Sequence, residues 1–420
     1  MKLFAEKNVP FLLYKSDRIL VFIMFFSYFF FYGLLNLNFF LEIPTGIPSG
    51  LMRLTTFGLA GFFVLKDFSN GEYPRMTASI ICLGVFLLYY FCVFVVDENV
   101  FGSNFDMSTG SSMQRGKLEV AYLFFISGLS YFLMFFAGRR RMAYVLANPS
   151  LVYIPSLLSV LIIIATNARA FGTLDLYQTY LYDFGDVRRA AIIAPVGTLI
   201  SVSPYLMFFS KNRLCNFFWG PLGCAAALMC VLISDSRSTI LAMLLVLVFY
   251  AFVSIRHVYS MVYALIVYIS GAVLFIPYLL MSAAFSRFMN IEKILDYDLV
   301  ESDQLSRIEL IKAGFSQFLD SPILGGHIYL IGGGYSHCTP ICILYSTGLI
   351  GFSLVLTCIA GVLKGMFAAV KIFREKIIWI CALGIFDVVG MLIHGDSMGI
   401  FCGSFAVFLM ANAFMSERCN

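Results

Sequence analysis

Apolar runs of about twenty residues recur along the whole chain, and this pattern restricts the fold more than any other feature. Backbone groups inside a lipid bilayer must bond to one another, so each such run predicts a membrane-spanning helix. The composition agrees, because 60% of the residues are hydrophobic, 12% are charged and the mean hydropathy is +0.90. These values exclude a water-soluble globular protein.

The runs predict an all-α, polytopic membrane protein with about twelve transmembrane helices, in one domain that covers residues 1–420. The predicted spans are residues 19–36, 51–66, 76–96, 119–137, 150–168, 190–209, 216–233, 238–255, 260–280, 338–363, 377–393 and 398–415. No internal repeat or low-complexity linker interrupts this order.

Basic residues predict the orientation of the chain, because Lys and Arg resist transfer across the membrane. Placing Arg139, Arg140, Arg141 and the cluster Lys364–Lys376 in the cytoplasm puts both termini there. Three long loops then face the periplasm, at residues 97–118, 169–189 and 281–337. The net charge of +4 follows from this topology and does not indicate a nucleic-acid partner.

The largest periplasmic loop, residues 281–337, contains a predicted amphipathic helix. Apolar residues recur there at spacings of three and four, at Leu305, Ile308, Ile311, Phe315 and Phe318. Ser306 and Glu309 form a capping-box pattern at its start, with Ser302 or Asp303 as alternative caps. The helix should stop near Asp320, because Pro322 cannot continue it. We expect this helix to lie along the membrane interface.

Arginines at the ends of spans are candidate site residues, because ionisable groups near the bilayer are often functional. Arg237 lies in a tight turn between two spans, where it either pairs with Asp235 or serves a site. Arg188 and Arg189 immediately precede the span that starts at residue 190. One of these two is expected to be an interface anchor with a snorkelling side chain.

Histidine supplies the candidate proton acceptor. His337 stands at the start of a span after a run of glycines, where it can titrate near neutral pH. His394 is expected to be structural, and Asp387 either contacts a neighbouring helix or serves chemistry. Cys338 and Cys342 follow His337 one helical turn apart. No further ligand cluster accompanies them, so we expect neither a metal site nor a cofactor.

Four segments occur in a characteristic order: Arg188-Arg189 with Ala194-Pro195; Ser236-Arg237-Ser238; Ser306-Arg307 with Asp320-Ser321-Pro322 and Gly325; and His337 with Gly348-Leu349-Ile350-Gly351. Their order and predicted side of the membrane resemble the O-antigen polymerase (Wzy-type) and O-antigen ligase superfamily of bacterial polysaccharide assembly. The resemblance covers roughly residues 186–352. One departure is Cys338, where this superfamily often has Asn.

The resemblance implies a GT-C-like glycosyltransferase at the periplasmic face of the inner membrane. Its donor and acceptor would be undecaprenyl-diphosphate-linked oligosaccharides held in membrane lipid, without a metal, and a chain-length regulator would be a further partner. By the same resemblance, Arg188 or Arg189 and Arg307 bind the substrate diphosphate. Arg237 is catalytic, and His337 is the base for the incoming sugar hydroxyl.

Three functions remain open at this point. A polymerase joins lipid-linked repeat units, and we favour it because this chain matches the pattern loosely and polymerases are the more diverse branch. A ligase moves the finished polysaccharide onto lipid A core. A flippase or secondary transporter is the alternative from another class, although Asp387 is the one clear carboxylate at that depth and no inverted repeat is visible.

Overall fold

A computed structural model of the chain describes residues 15–40, 47–72, 77–97, 117–167, 185–210, 212–234, 237–254, 262, 307–331, 336, 338–373, 377–394, 407 and 409–411. The regular elements within these ranges are helices, with no β-strand among them. This confirms the all-α fold. The predicted spans at 260–280 and 398–415 lie almost entirely outside the described residues.

The helices of the described ranges are α1 (Lys15–Phe40), α2 (Ile47–Ser69), α3 (Ala78–Val96), α4 (Lys117–Ala147), α5 (Ser150–Asn167), α6 (Gly185–Phe209), α7 (Gly220–Ser234), α8 (Arg237–Ser254), α9 (Arg307–Asp320), α10 (Thr339–Phe373) and α11 (Ile378–His394). A π-helical turn at Cys215–Trp219 leads into α7. One hydrophobic core joins all of them except α9, whose Leu310 and Phe318 pack in a second, smaller cluster with α10. Within the larger core α1 packs against α2 and α5, α3 against α10, α6 against α7, and α8 against α11.

Membrane-spanning length can be assessed for the described residues. By length and composition, Ala78–Val96 and Thr339–Met366 are long and apolar enough to cross a bilayer. Tyr131–Ala147 and Ser150–Ala165 meet at a 90° bend and would be a third span if they form one broken helix. The apolar helices agree with a membrane protein, and the count of about twelve spans stays a prediction.

Two helices extend beyond their predicted spans. The fourth predicted span ends at residue 137, whereas α4 continues to Ala147, and within this extension Arg140 and Arg141 pair with Glu72 and Asp67 inside the fold. The span predicted from residue 190 belongs to α6, which already starts at Gly185. A hydropathy pattern locates the apolar part of a helix and not its polar ends. The predicted stop near Asp320 is confirmed by the end of α9.

Paired charges gather at one end of the helix bundle, which we call the Asp67 end. Three ion pairs lie there: Asp17–Lys66, Asp67–Arg141 and Glu72–Arg140. Both guanidinium ends of Arg141 bind the Asp67 carboxylate at 2.9 Å, and Arg141 also stacks over the ring of Phe63 at 4.0 Å. All three pairs join segments that the sequence assigns to the cytoplasmic side.

The opposite end, which we call the Asp97 end, lies one membrane-length helix away. α3 contains 19 residues, so it is about 28 Å long. Asp97 follows its last residue and contacts His327. The predicted periplasmic loops 97–118 and 281–337 therefore meet at this end. The grouping agrees with the predicted topology, and which end faces the cytoplasm stays a prediction.

Arg141→Ala should destabilise the Asp67 end strongly. The side chains of Arg141 and Asp67 are 5% and 12% exposed, so the substitution leaves a nearly buried carboxylate without its charged partner. Losing one member of a buried ion pair costs about 3–5 kcal/mol. We expect a lower midpoint of thermal unfolding in detergent. Arg213→Ala removes an exposed arginine and should change the midpoint little; equal shifts would contradict this account.

α9 has apolar residues on two sides rather than one. The predicted single stripe is divided, because Phe318 packs toward α10, whereas Ile311, Phe315 and Leu319 are exposed. The protein-facing side contacts α10 closely enough that a Cβ at Gly314 would press on Ile341. α9 is therefore anchored on the bundle, and its predicted position along the membrane interface stays a prediction.

Candidate active site

The four candidate arginines occupy the first turns of three helices. Arg188 and Arg189 are the fourth and fifth residues of α6, Arg237 is the first residue of α8, and Arg307 is the first residue of α9. The structure describes these backbone positions, and the four side chains lie outside the described part. The placement of the helices therefore decides how close these positions come.

Arg188 and Arg237 lie at the same height in the bundle. The hydroxyl of Tyr250 in α8 donates a hydrogen bond to the carbonyl of Ser201 in α6. Arg188 precedes Ser201 by thirteen residues, and Arg237 precedes Tyr250 by the same number. Thirteen residues correspond to about 20 Å of helix.

α7 runs antiparallel to α6, because Gly220 and Gly223 of α7 face Met207 and Ser203 of α6. α8 starts where α7 ends and meets α6 at Ser201, so α6 and α8 run in the same direction. Their starts are consequently level.

The starts of α6 and α8 lie at the Asp97 end. α5 begins just after α4 ends, six residues beyond Arg141, so its start lies at the Asp67 end. Tyr153, in the first turn of α5, donates to the carbonyl of Trp219, the residue before α7. The link between α6 and α7 is therefore at the Asp67 end. Both helices reach the opposite end at Arg188 and Arg237.

α9 also lies at the Asp97 end. It packs on the first half of α10, where Gly314 faces Ile341 and Tyr345. The chain between α9 and α10 contacts Asp97 through His327. The backbone thus brings all four arginine positions to one end of the bundle, at Arg188, Arg189, Arg237 and Arg307.

α11 carries two further ionisable residues that the sequence singles out. Asp387 is 3% exposed, one residue after Phe386, whose ring occupies the space that a Cβ of Gly197 would need. His394 follows Phe386 by eight residues, and Arg189 precedes Gly197 by eight. Since α11 returns toward the Asp97 end, the backbone of His394 lies level with Arg189. Its side chain is outside the described part.

α10 is broken at Gly348, which has φ 62° and ψ −162°. The break leaves the next N–H groups without carbonyl partners in the helix. Carbonyls of the loop after α9 replace them: Leu349 donates to Pro322 at 2.9 Å and Ile350 donates to Ile323 at 3.3 Å. Two motif segments of the sequence therefore bind each other, and the loop after α9 acts as the cap of a half-helix.

Gly325 completes this contact from the loop side. Its φ of 68° is in the left-handed region, and a Cβ there would overlap the carbonyl group of Ser346. The next residue, Gly326, donates to the carbonyl of Tyr345 at 3.3 Å, and the Ser321 hydroxyl donates to the carbonyl of Gly325 at 2.6 Å. These motif residues hold α9 and α10 together.

The segment after this loop is fixed by two buried polar side chains. Asp97 accepts the backbone N–H of Ile328 at 2.8 Å and contacts Nδ1 of His327 at 3.1 Å. Gln317 of α9 donates to the carbonyl of Tyr329 and accepts from the N–H of Ile331, both at 3.0 Å. Residues 327–331 are therefore attached to both α3 and α9.

His337 itself lies outside the described residues. Its sequence neighbours are described: Ser336 is buried, and its hydroxyl lies 3.1 Å from Sγ of Cys342. The Ser336 hydroxyl also donates to the carbonyl of Cys338 at 3.2 Å. The chain on both sides of His337 is thus fixed at the start of α10.

A family match covers the part of the chain from α7 to the middle of α10. Residues 222–356 match the O-antigen ligase family. The match supports the superfamily of O-antigen ligases and polymerases and confirms the resemblance drawn from the four segments. Members of the family are glycosyltransferase-like enzymes. No curated protein matches this chain.

The matched region, residues 222–356, covers about a third of the chain. It runs from α7 to the middle of α10 and includes Arg237, Arg307 and His337. It also contains both segments that bind each other, the loop at Gly325 and the broken helix at Gly348. Arg188 and Arg189 precede this region, and the level starts of α6 and α8 connect them to it.

Sequence reasoning missed Asp97, His327 and Gln317. Asp97 and His327 are separated by 230 residues, and no periodicity or motif spacing relates them. Gln317 lies on the protein-facing side of α9, where a polar residue among apolar ones was the available signal. Asp97 lies outside residues 222–356, whereas His327 lies inside them. The packing of α3 against α10 brings the two residues together.

Among the residues that the structure describes, no three His, Cys, Asp or Glu side chains approach closely enough to share a metal ion.

Proposed function

We propose that this protein is an O-antigen polymerase that joins undecaprenyl-diphosphate-linked repeat units at the periplasmic face of the inner membrane. The observation that carries the proposal is the match of residues 222–356 to the O-antigen ligase family. The location of the arginine positions at one end of the bundle supports it further.

The proposed transfer of glycan from a lipid diphosphate requires fixed positive charge. The bond between the donor sugar and the lipid diphosphate supplies the free energy of transfer, and negative charge develops on the diphosphate as it leaves. Guanidinium groups suit this task because their fork matches phosphate oxygens and their charge does not titrate. We assign Arg237 to the leaving diphosphate, with Arg307 and one of Arg188 and Arg189 as further substrate contacts.

His337 is the proposed base. It takes the proton of the attacking hydroxyl on the acceptor sugar, whose oxygen then bonds to C1 of the donor sugar. The bond from C1 to the diphosphate breaks, and its electron pair leaves with the diphosphate. General-base help of this kind contributes about 10²–10⁴ in rate. Arginine takes the place that a divalent cation has in other diphosphate chemistry, so the proposed reaction is metal-independent.

A ligase is the second candidate, because the matching family is itself described as O-antigen ligase. Both reactions start from the same kind of donor and differ in the acceptor. We favour the polymerase because polymerases are the more diverse branch of the superfamily and this chain matches the pattern loosely, for example at Cys338, where the superfamily often has Asn.

Deleting the gene in the bacterium that carries it separates the two candidates. A polymerase mutant should make lipopolysaccharide that ends in a single repeat unit, because each unit is still transferred to the core. A ligase mutant should show bare core and accumulate lipid-linked polymer. Gel electrophoresis of lipopolysaccharide distinguishes the patterns, and an unchanged ladder would contradict both.

A reconstituted assay tests the transfer directly. Purified protein in liposomes, supplied with lipid-linked repeat units extracted from the deletion strain, should lengthen them. A transporter would move the same lipids across the bilayer and leave their length unchanged.

A further inference from the structure

Exposed apolar residues form a stripe along α9. Ile311, Phe315 and Leu319 follow one another at intervals of four residues, so they lie on one side of the helix, and all three are exposed. The same interval leads to Ile323 in the loop after α9, which is also exposed. We call these four residues the α9 stripe. It is a row of large side chains that the described part of the protein leaves uncovered.

The α9 stripe lies at the level where the bundle ends. Gly314 of α9 faces Ile341 and Tyr345, which belong to the first two turns of α10. From this level α10 continues through the bundle as a helix long and apolar enough to cross a bilayer. An apolar surface at the end of such a helix is level with the boundary between lipid headgroups and hydrocarbon.

A groove of about 420 Å³ lies on α10 beside the end of the stripe. Its lining residues are Leu349, Ile350, Ser353, Leu354 and Thr357. The N–H of Ile350 donates to the carbonyl of Ile323 at 3.3 Å, so the last residue of the stripe is bonded to the first turn of the groove. The stripe and the groove therefore adjoin and form one mainly apolar path.

The α10 groove lies at hydrocarbon depth. The hydroxyl of Ser79, in the first turn of α3, occupies the space that a Cβ of Gly361 in α10 would need. The lining residues precede Gly361 by four to twelve positions, which places them about 6–18 Å from it along the helix. Since α3 is about 28 Å long, the groove lies beside its middle part and away from both ends.

The length of the path indicates what kind of chain can fill it. Ile311 to Leu319 and Leu349 to Thr357 each cover about 12 Å of helix, so a chain that follows both segments exceeds about 24 Å. The acyl chains of a phospholipid cover one leaflet, which is about 15 Å or half of the hydrocarbon core. A polyprenyl chain is long enough to occupy both segments, whereas one acyl chain is not.

A cation borders the stripe near the start of α9. Lys312 is exposed and lies one helical turn before Phe315, on the same side of the helix. α9 itself begins at Arg307, one of the candidate arginine positions. An anionic group at the start of α9 would therefore lie beside positive charge, with the apolar path leading away from it. This order of charge and apolar surface fits a lipid diphosphate.

We propose that the α9 stripe and the α10 groove bind the polyprenyl chain of the lipid-linked substrate. The proposal rests on the proposed function and adds the surface that holds the hydrocarbon part of the same substrate. The diphosphate lies near Lys312, and the chain follows Phe315 to the groove at Ser353. No covalent bond changes on this surface, so its effect falls on affinity.

Binding to purified protein in detergent tests the proposal without any transfer of glycan. Undecaprenyl diphosphate and geranyl diphosphate carry the same charged group on a long and a short chain, and native mass spectrometry measures the Kd of each. One buried methylene group changes affinity by a factor of about four, so the wild-type protein should bind the long chain at least about 10-fold more tightly. Equal Kd values for the two ligands would overturn the proposal.

Ser353→Trp fills the groove from an exposed position and leaves the core unchanged. It should raise the Kd of undecaprenyl diphosphate at least about fivefold and keep that of geranyl diphosphate within about twofold. Gly58→Trp is the matched control, because it adds the same side chain to α2 where a Cβ meets no atom within 4 Å. It should change neither Kd. An unchanged Kd for the long chain in Ser353→Trp would show that bulk lipid fills the groove, and would overturn the proposal.

Phe315→Ala tests the stripe independently of the groove. It removes an exposed ring and should raise the Kd of undecaprenyl diphosphate by about fivefold or more, with little change for geranyl diphosphate. Ser316→Ala, at the next and also exposed position of α9, is the control and should change neither Kd. Equal increases for the two ligands in Phe315→Ala would mean that the ring does not contact the chain, and would contradict the assignment of the stripe.

This result is separable from the proposed function. If the wild-type protein selects the long chain but transfers no glycan in the liposome assay, the proposed function fails and the chain-binding surface stands. If it transfers glycan and both Ser353→Trp and Phe315→Ala keep the wild-type Kd values, the function stands and the chain-binding surface fails.

Discussion

Arg237→Ala should remove the long chains from the polysaccharide ladder at an unchanged level of protein in the membrane. Arg237 is the first residue of α8, at the end of the bundle where the other arginine positions lie. Removing one group that stabilises charge in a transition state typically costs about 10²–10³ in rate. The effect should be at least as large as that of His337→Ala. Gel electrophoresis of lipopolysaccharide and the liposome assay both measure it.

Two variants control this result. Arg237→Lys keeps the charge and loses the fork, so it should restore only part of the activity. Arg213→Ala removes an exposed arginine from the link between α6 and α7, at the opposite end of the bundle, and should leave the ladder intact. An intact ladder in Arg237→Ala would contradict the diphosphate role, and a short ladder in Arg213→Ala would point to a general effect of lost positive charge.

Gly325→Ala should prevent stable assembly of α9 on α10. The left-handed backbone alone costs a residue with a side chain about 1–2 kcal/mol. The added methyl group would also overlap the carbonyl of Ser346, so the loop would have to move away. That movement breaks the bonds that cap Leu349 and Ile350, and each lost hydrogen bond costs about 0.5–1.5 kcal/mol more. We expect little protein in the membrane and a lower midpoint of thermal unfolding in detergent.

Gly326 provides the matched control at the adjacent position. A Cβ there meets no atom within 4 Å, and its φ is not in the left-handed region. Gly326→Ala should therefore leave the midpoint and the protein level near those of the wild type. A similar loss of protein and of thermal stability in both variants would show that the loop tolerates no side chain for another reason. It would contradict the explanation by overlap with Ser346.

The local part of the fold could be predicted from the sequence. The span predicted at 76–96 corresponds to α3 at Ala78–Val96, and the one at 377–393 to α11 at Ile378–His394. The end of α9 before Pro322 was equally readable. These features depend on hydropathy and on proline, which act within a few residues of the chain.

The remaining features depend on contacts between distant segments. Nothing in the apolar run of α10 predicts a break at Gly348, because the break is stabilised by carbonyls of Pro322 and Ile323. Likewise, α4 continues as a helix past the predicted end of its span because Asp67 pairs with Arg141. The order of the candidate arginines was visible in the sequence, whereas their common end of the bundle required the packing of α6, α7 and α8.

The cap on the second half of α10 has a consequence for how an anionic ligand can be held. The start of a helix carries a partial positive charge and often binds phosphate through its N–H groups. After the break at Gly348, the N–H groups of Leu349 and Ile350 already donate to loop carbonyls, so they cannot bind a phosphate. The diphosphate of the proposed substrate would therefore bind away from this helix start, at the positions where α6, α8 and α9 begin with the candidate arginines.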